Sequence, residues 1–379
     1  MNKINKDWKE VKLGDIVDIT MGQSPKSEFY NKRNEGMPFL QGSATFGFMH
    51  PYFETYSSDI KKIAINGSVL MSVRAPVGDL NIANADVCIG RGLCSINGKS
   101  NIINRYIFYL LSYYKPKLLN MQKGTTFGAI TKDDILNFKV LIAEDIEEQK
   151  RIASALSKID AYLENTIKLI EEKERFKRGI AKKLLTCKEG ENIPEARFKG
   201  FEDEWETKTL SSISNIKKGE QKNKLDLIAD GKYPVLNGGM NFSGYCNSYN
   251  REANTITISE GGNAGYVNFI KEKFWSSGHC YTLHDLKIDK YFLYQCLKNS
   301  EKRLMKLQLG TALKNIRQSE IVEFELNIPK SIKEQEKIGG YLSLLDEEID
   351  NLKKQKELIK EMKRGAMQKL LSGEVRLLE

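Results

Sequence analysis

The sequence predicts an α+β chain built as an internal pseudo-two-fold repeat, in which two mixed α/β globular segments are each followed by one copy of a long helix. Three observations carry this. The stretch Ile146–Leu185 recurs from Ile332 at a constant offset of 186 residues without a gap. The segments before the two copies match each other in order. Each copy carries apolar residues at alternating spacings of three and four.

In the helix copies Gln149 answers Gln335, Ile152 answers Ile338, Leu156 answers Leu342, and Asp160 answers Asp346. Lys183-Leu184-Leu185 answers Lys369-Leu370-Leu371. The apolar rows run through Ile152, Leu156, Ile159 and Leu163 in the first copy and Ile338, Leu342, Leu345 and Ile349 in the second. With Glu and Lys on the remaining faces, each row reads as a heptad-like seam on a helix roughly 60 Å long. Too polar elsewhere to be buried, each helix needs one long partner, and the repeat supplies it.

The globular segments follow the same order. Trp8, Leu13, Ile16, Ile19 and Gly22 match Trp205, Leu210, Ile213, Ile216 and Gly219, the tryptophans reading as core anchors. Each segment opens on a strand-like run, I-V-D-I-T or I-S-N-I-K, and continues through β-rich runs such as Ser68–Val73 and Thr255–Ser259. Gly/Asn/Ser loops interrupt them, and Gly42, Gly78, Gly238 and Gly265 read as backbone turns. Helices are expected near 104–120 and 289–307. The framework residues agree between the halves while the loop residues mostly do not: Arg74-Ala-Pro stands opposite Gly261-Gly-Asn. The resulting organisation is a domain over 1–145, a long helix over 146–187, a polar linker over 188–204, a second domain over 205–330, a second helix over 331–373 and a tail over 374–379.

The chain has 379 residues and a net charge of +9. Residues 1–145 carry 18 basic and 14 acidic groups, and 205–330 carry 18 and 13, so the excess sits on the two globular segments. That suits two polyanion-binding modules without demanding them. A mean hydropathy of −0.45, with no long apolar run, speaks against a membrane span, and an N-terminus without an apolar core points to the cytoplasm. Six cysteines without CxxC spacing read as free thiols, most of them packed as small hydrophobes.

A search for catalytic chemistry returns nothing. Gly92–Ser100 has five residues between its glycines where a phosphate loop needs four, and Asn97-Gly98 within it reads as a hairpin turn. His279, Cys280 and His284 lack the second pair of ligands a metal site would need and read as a strand and its turn. No nucleophile elbow, dinucleotide fingerprint or Asn-Pro-Pro-aromatic tetrad occurs. The expectation is a chain with no catalytic residues, no metal and no cofactor of its own.

Two globular halves, each followed by a long helix ending in K-K-L-L or Q-K-L-L, resemble the specificity subunit of Type I restriction-modification systems. The marks are the W-x-x-x-x-L starts at Trp8 and Trp205, the E-Q-K/E-x-I motifs at Glu148–Ile152 and Glu334–Ile338, and the Lys183 and Lys369 ends. The resemblance implies that each half is a target-recognition domain reading one part of a split, asymmetric site on double-stranded DNA. It further implies that the long helices pack as an antiparallel coiled coil that sets the gap and docks two adenine methyltransferase subunits. Those partners would bind S-adenosylmethionine, and restriction/translocase subunits could join them. Base and phosphate contacts would fall on the variable loops: Gln23, Ser24, Gln41, Ser43, Arg74, Lys123, Thr125 and Thr126 in the first half; Lys217, Lys218, Gln221, Asn237, Asn241, Asn263, Thr311 and Lys314 in the second. For each the alternative is an ordinary solvated loop residue. Three other readings stand beside this one: a coiled-coil protein-interaction scaffold without DNA specificity, a specificity subunit of a methylation-only or related defence system, and an enzyme whose nuclease carboxylates are not separable in sequence from solvated surface ones.

Overall fold

The computed structural model describes residues 8–120, 128–310 and 314–377. The first half begins with β1 (Trp8–Lys12), a one-turn helix α1 (Leu13–Ile16) and β2 (Val17–Met21). The strands β3 (Tyr30–Asn31), β4 (Met37–Leu40), β5 (Tyr56–Ser57) and β6 (Ile63–Ala64) follow. Next come β7 (Val69–Ser72), β8 (Leu80–Ile82), β9 (Val87–Ile89) and β10 (Leu93–Gly98). Helices α2 (Asn104–Asn120) and α3 (Lys132–Asn137), strand β11 (Lys139–Ala143) and the long helix α4 (Ile146–Leu185) complete the half.

The second half repeats the order with β12 (Glu206–Thr209), α5 (Leu210–Ile213), β13 (Asn215–Lys218), β14 (Tyr233–Leu236) and β15 (Gly244–Cys246). It continues through β16 (Thr255–Ser259), β17 (Val267–Ile270), β18 (Trp275–Ser276) and β19 (Cys280–His284). Helices α6 (Lys290–Asn299), α7 (Glu301–Met305) and α8 (Gln318–Val322), strand β20 (Glu325–Ile328) and the long helix α9 (Ile332–Leu371) close the chain.

Among the described residues the sheets repeat as well. An antiparallel sheet in the order β2-β10-β7-β8 is matched by β13-β19-β16-β17, and the pair β1-β11 by β12-β20. A second sheet in each half contains a parallel pair, β4 with β9 and β14 with β18. The buried strands read as continuous apolar runs, as in Val69-Leu70-Met71, because both faces are covered.

Several elements differ from expectation. The expected opening strand is preceded by β1, whose partner β11 lies about 130 residues away in sequence and is invisible to a local pattern. The helix expected over 289–307 breaks at Ser300, which separates α6 from α7. Asn97 and Gly98 are not a turn: they sit in β10 opposite Asp18 and Val17, and the chain reverses afterwards, between Lys99 and Ile102. Gly42 is extended at φ −164°, whereas Gly78, Gly238 and Gly265 do adopt the left-handed conformation expected of a turn glycine. The polar connector is built into the structure around it: Ala196 and Phe198 pack on the second core, and Cys187 bridges to Pro194.

The chain divides into two compact units, Met1–Lys168 with Lys354–Glu379, and Leu169–Lys353. Within the first, Asp160 meets Lys363 and Tyr162 meets Gln355; within the second, Lys173 meets Glu348 and Lys177 meets Asp346. Numbers rise along one helix as they fall along the other, so the helix segments run antiparallel in each unit. The apolar row is not a pure helix–helix seam. Ile152 and Leu156, with half-buried Ile159 beside them, belong to the core of the first unit together with Trp8, Tyr106 and Val140. Ile338, Leu342 and Leu345 belong to that of the second, with Trp205 and Phe292. Only farther along, at Leu163 and Ile349, does the row leave these cores while remaining buried. Each helix start thus buries its apolar row in the core of its own unit, which removes that surface from water.

Candidate nucleic-acid interface

The two cores are closed by matching polar devices, and these explain the E-Q motifs. Gln149 accepts a hydrogen bond from the Ile103 amide at 3.3 Å and donates to the Ala143 carbonyl at 2.9 Å. Gln335 accepts from the Asp289 amide at 2.9 Å and donates to the Pro329 carbonyl at 2.8 Å. In each unit one buried amide side chain thus ties the last strand to the start of the short helix. Beside it, buried Glu148 is gripped by Arg376 and buried Glu334 by Arg197. The duplicated aspartates act farther along: Asp160 accepts from Tyr109 at 2.8 Å, and Asp346 from Gln295 at 2.7 Å, each also holding a lysine of the facing helix. These residues set the frame, and nothing in them varies between the units except the neighbours.

The loops show the opposite behaviour. In the first unit four segments converge at one end of the β2-β10-β7-β8 sheet, fixed by backbone bonds. Gly22 donates to Leu93, Gln23 to Ile89, Gly90 to Leu40 and Val73 to Gly92, all at 2.8–2.9 Å. The second unit makes the same four: Gly219 to Cys280, Glu220 to Ser276, Ser277 to Leu236 and Glu260 to His279, again at 2.8–2.9 Å. Gly22 and Gly219 are required, because a Cβ on either would stand 2.1 Å from a carbonyl oxygen, that of Gly90 or of Ser277.

Several of the expected contact residues lie on this frame. Gln23 and Gln41 are exposed, and Ser24 donates to Gln41 at 2.9 Å and receives the Arg91 amide at 3.2 Å. Ser43 stands in a separate network, donating to Asp79 at 3.2 Å. Arg74 is exposed on a loop that Ser72 closes, its hydroxyl donating to Pro76 and receiving the Asp79 amide. In the second unit Lys217, Gln221, Asn241, Asn263 and Lys314 are exposed and Asn237 is half-buried. Lys123, Thr125, Thr126 and Thr311 lie outside the described residues.

Lys218 is committed elsewhere. Its ammonium sits 2.6 Å from Glu260, which also receives Tyr281 at 2.9 Å and faces His279 at 3.2 Å. Burial acts to raise the Glu260 carboxyl, but the bonds from Lys218 and Tyr281 outweigh it and hold it below its ordinary value. His284 is half-buried in β19 with Nε2 2.8 Å from the Thr282 hydroxyl. Burial, then the charges of Arg251 and Lys217, pushes it down, so it is neutral at pH 7.

Sequence reasoning missed Arg91. It is exposed at the tip of the β9–β10 turn, between Gly90 and Gly92, which press against Gln41 so closely that a Cβ on either would lie within 2.7 Å of it. A Gly-Arg-Gly step between two apolar runs was the available signal. Arg197 and Arg376 were missed because only the fold shows what they face.

A family model described as Type I restriction modification DNA specificity domain matches residues 5–172 and again 202–361. A Methanocaldococcus jannaschii protein assigned as the MjaX specificity subunit of a type I restriction enzyme is 44 % identical over 191 residues, 50 % of this chain and 45 % of that protein. The chain therefore spans under half the length of that relative. The MjaIX specificity subunit of a type I restriction enzyme from the same organism is 23 % identical across 100 % of this chain and 96 % of its own length. The crystal structure of a Type I restriction-modification system S subunit from M. genitalium has the same fold, with a TM-score of 0.73 at 20 % identity over 98 % of this chain and 97 % of that one. With the family model matched twice, once in each half of the repeat, this chain belongs to the Type I restriction-modification DNA specificity family.

Proposed function

We propose that the chain is the sequence-reading subunit of a Type I restriction-modification complex, acting in the cytoplasm without catalytic residues of its own. Each unit reads one part of a split, asymmetric site on double-stranded DNA through its convergent loops, and the long helices serve as spacer and as docking surface for two adenine methyltransferase subunits. Those subunits supply S-adenosylmethionine and the transfer chemistry; restriction/translocase subunits complete the complex where the system cleaves. One observation carries the reading: four equivalent backbone bonds hold the same loop frame in both units, while the side chains displayed on it differ. A duplicated frame with two unlike loop sets is what a non-palindromic, two-part site requires.

The test is a genome-wide map of methylated adenine in the source strain with and without the gene. Loss of one split, asymmetric motif is the expected result. An unchanged map, together with DNA affinity of the chain and its methyltransferase that does not fall with salt, would overturn the reading.

A further inference from the structure

The loop frame locates two arginines that have no counterpart in the other unit. The antiparallel register that sets Leu93 opposite Ser72 continues through the bond from Val73 to Gly92, and Arg91 and Arg74 are each one residue beyond it. Both side chains are exposed, and neither guanidinium has a hydrogen-bond or ion-pair partner among the described residues. Their backbones are nonetheless rigidly held. The Arg91 amide is bonded to Ser24, its flanking glycines abut Gln41, and the Arg74 loop is closed on both sides of its bend by the Ser72 hydroxyl.

In the second unit the turn Gly90-Arg91-Gly92-Leu93 becomes Ser277-Gly278-His279-Cys280. The turn bond from Leu93 to Gly90 at 3.0 Å is matched by that from Cys280 to Ser277 at 3.1 Å. Likewise Ile130 donates to Val73 and Ile316 to Glu260, at 3.0 and 2.9 Å, so Arg74 falls on Gly261. At both arginine positions the second unit has glycine. Had the arginines served the fold or a generic grip on phosphates, the same backbone would call for them in both units, as it does for Gly22 and Gly219. Two exposed guanidinium forks on pre-set loops, without a partner among the described residues and confined to one unit, have the form of direct base readers, since arginine pairs bidentately with guanine O6 and N7.

We propose that Arg91 and Arg74 form a guanine-reading pair on the first unit, and that Gly278 and Gly261 free the second unit from that requirement. The proposal rests on the DNA-recognition reading above and assigns the base chemistry of one of its halves. The part of the methylated motif read by the first unit therefore contains at least one G·C pair set by Arg91.

The experiment uses the full chain assembled with its methyltransferase. The motif is mapped by methylome sequencing for the wild type, Arg91→Ala and Arg74→Ala, and binding is measured against duplexes in which each base pair of the motif is replaced in turn. Arg91→Ala is expected to lower discrimination at one G·C position on the order of 10- to 100-fold, leaving the other part of the motif unchanged. Arg91→Lys, which keeps the charge but not the planar fork, is expected to recover affinity more than selectivity. A first-unit half-site without any G·C pair would overturn the proposal. So would a uniform loss across all base substitutions for Arg91→Ala with full rescue by Arg91→Lys, the signature of a phosphate contact. Absence of any gene-dependent motif in the wild type would instead overturn the DNA-recognition reading itself, and this pair with it.

Discussion

Glu148 and Arg376, 228 residues apart in sequence, meet in a forked pair with Nε and Nη2 at 2.6 and 2.8 Å from the two carboxylate oxygens. Glu334 and Arg197 repeat the arrangement at 2.7 and 2.8 Å. In both cases the glutamate begins one long helix and the arginine follows the end of the other. Both carboxylates are essentially inaccessible to solvent, at 0 and 1 % exposure. Replacing Arg197 with alanine removes the ion-pair partner of the buried Glu334 carboxyl, leaving it the Trp205 indole N–H at 3.4 Å, and is expected to destabilise the second unit by about 3–5 kcal/mol. Hydrogen exchange of the full chain checks this: protection of β12 and β20 should drop while that of β1 and β11 stays.

Leu156 and Leu345 occupy the cores rather than a seam between helices alone. Leu156→Asp therefore unfolds the first globular core, because a carboxylate buried there without a partner costs several kcal/mol. Amide exchange should rise through β1, α2 and β11. Intact protection of α2 in that variant would restore the simpler coiled-coil view.

Gly22→Ala places a methyl group 2.1 Å from the Gly90 carbonyl. The loop must move or the strand must slip, at a cost of about 1–3 kcal/mol. A lowered melting temperature is expected, together with loss of the first unit's part of the methylated motif. On the two-part recognition proposed above, methylation of the whole motif should fall with it.

Glu260 supplies a pH-dependent contribution. Its folded-state pKa lies below the ordinary 4.5, so the contribution is complete above that value and is lost as pH falls through the depressed one. Lys218 is half-exposed, which screens the pair, so about 1 kcal/mol is expected at neutral pH. Comparing Glu260→Gln with the parent by denaturant unfolding should show that difference at pH 7 and its disappearance in acid. A difference that persists unchanged to low pH would mean the carboxylate acts through packing alone.

The repeat, the long helices, the tryptophan anchors and the family resemblance were all legible in the sequence, because each rests on local periodicity or on residues kept at matching positions. The sequence also singled out the loops, as the places where the two halves stop agreeing. What it could not show is which side chains end up opposite each other. The partners of Glu148, Glu334, Asp160 and Asp346 lie 51 to 228 residues away, and no spacing rule reaches them. For the same reason Lys218 read as a free cation until Glu260 was placed beside it. Arg91 was passed over because its equivalence to Gly278 lies in backbone hydrogen bonds, not in residue type. Local sequence determined the elements and their repetition; the tertiary structure alone decided which charges are buried and paired and which are left exposed, since both depend on distance in space.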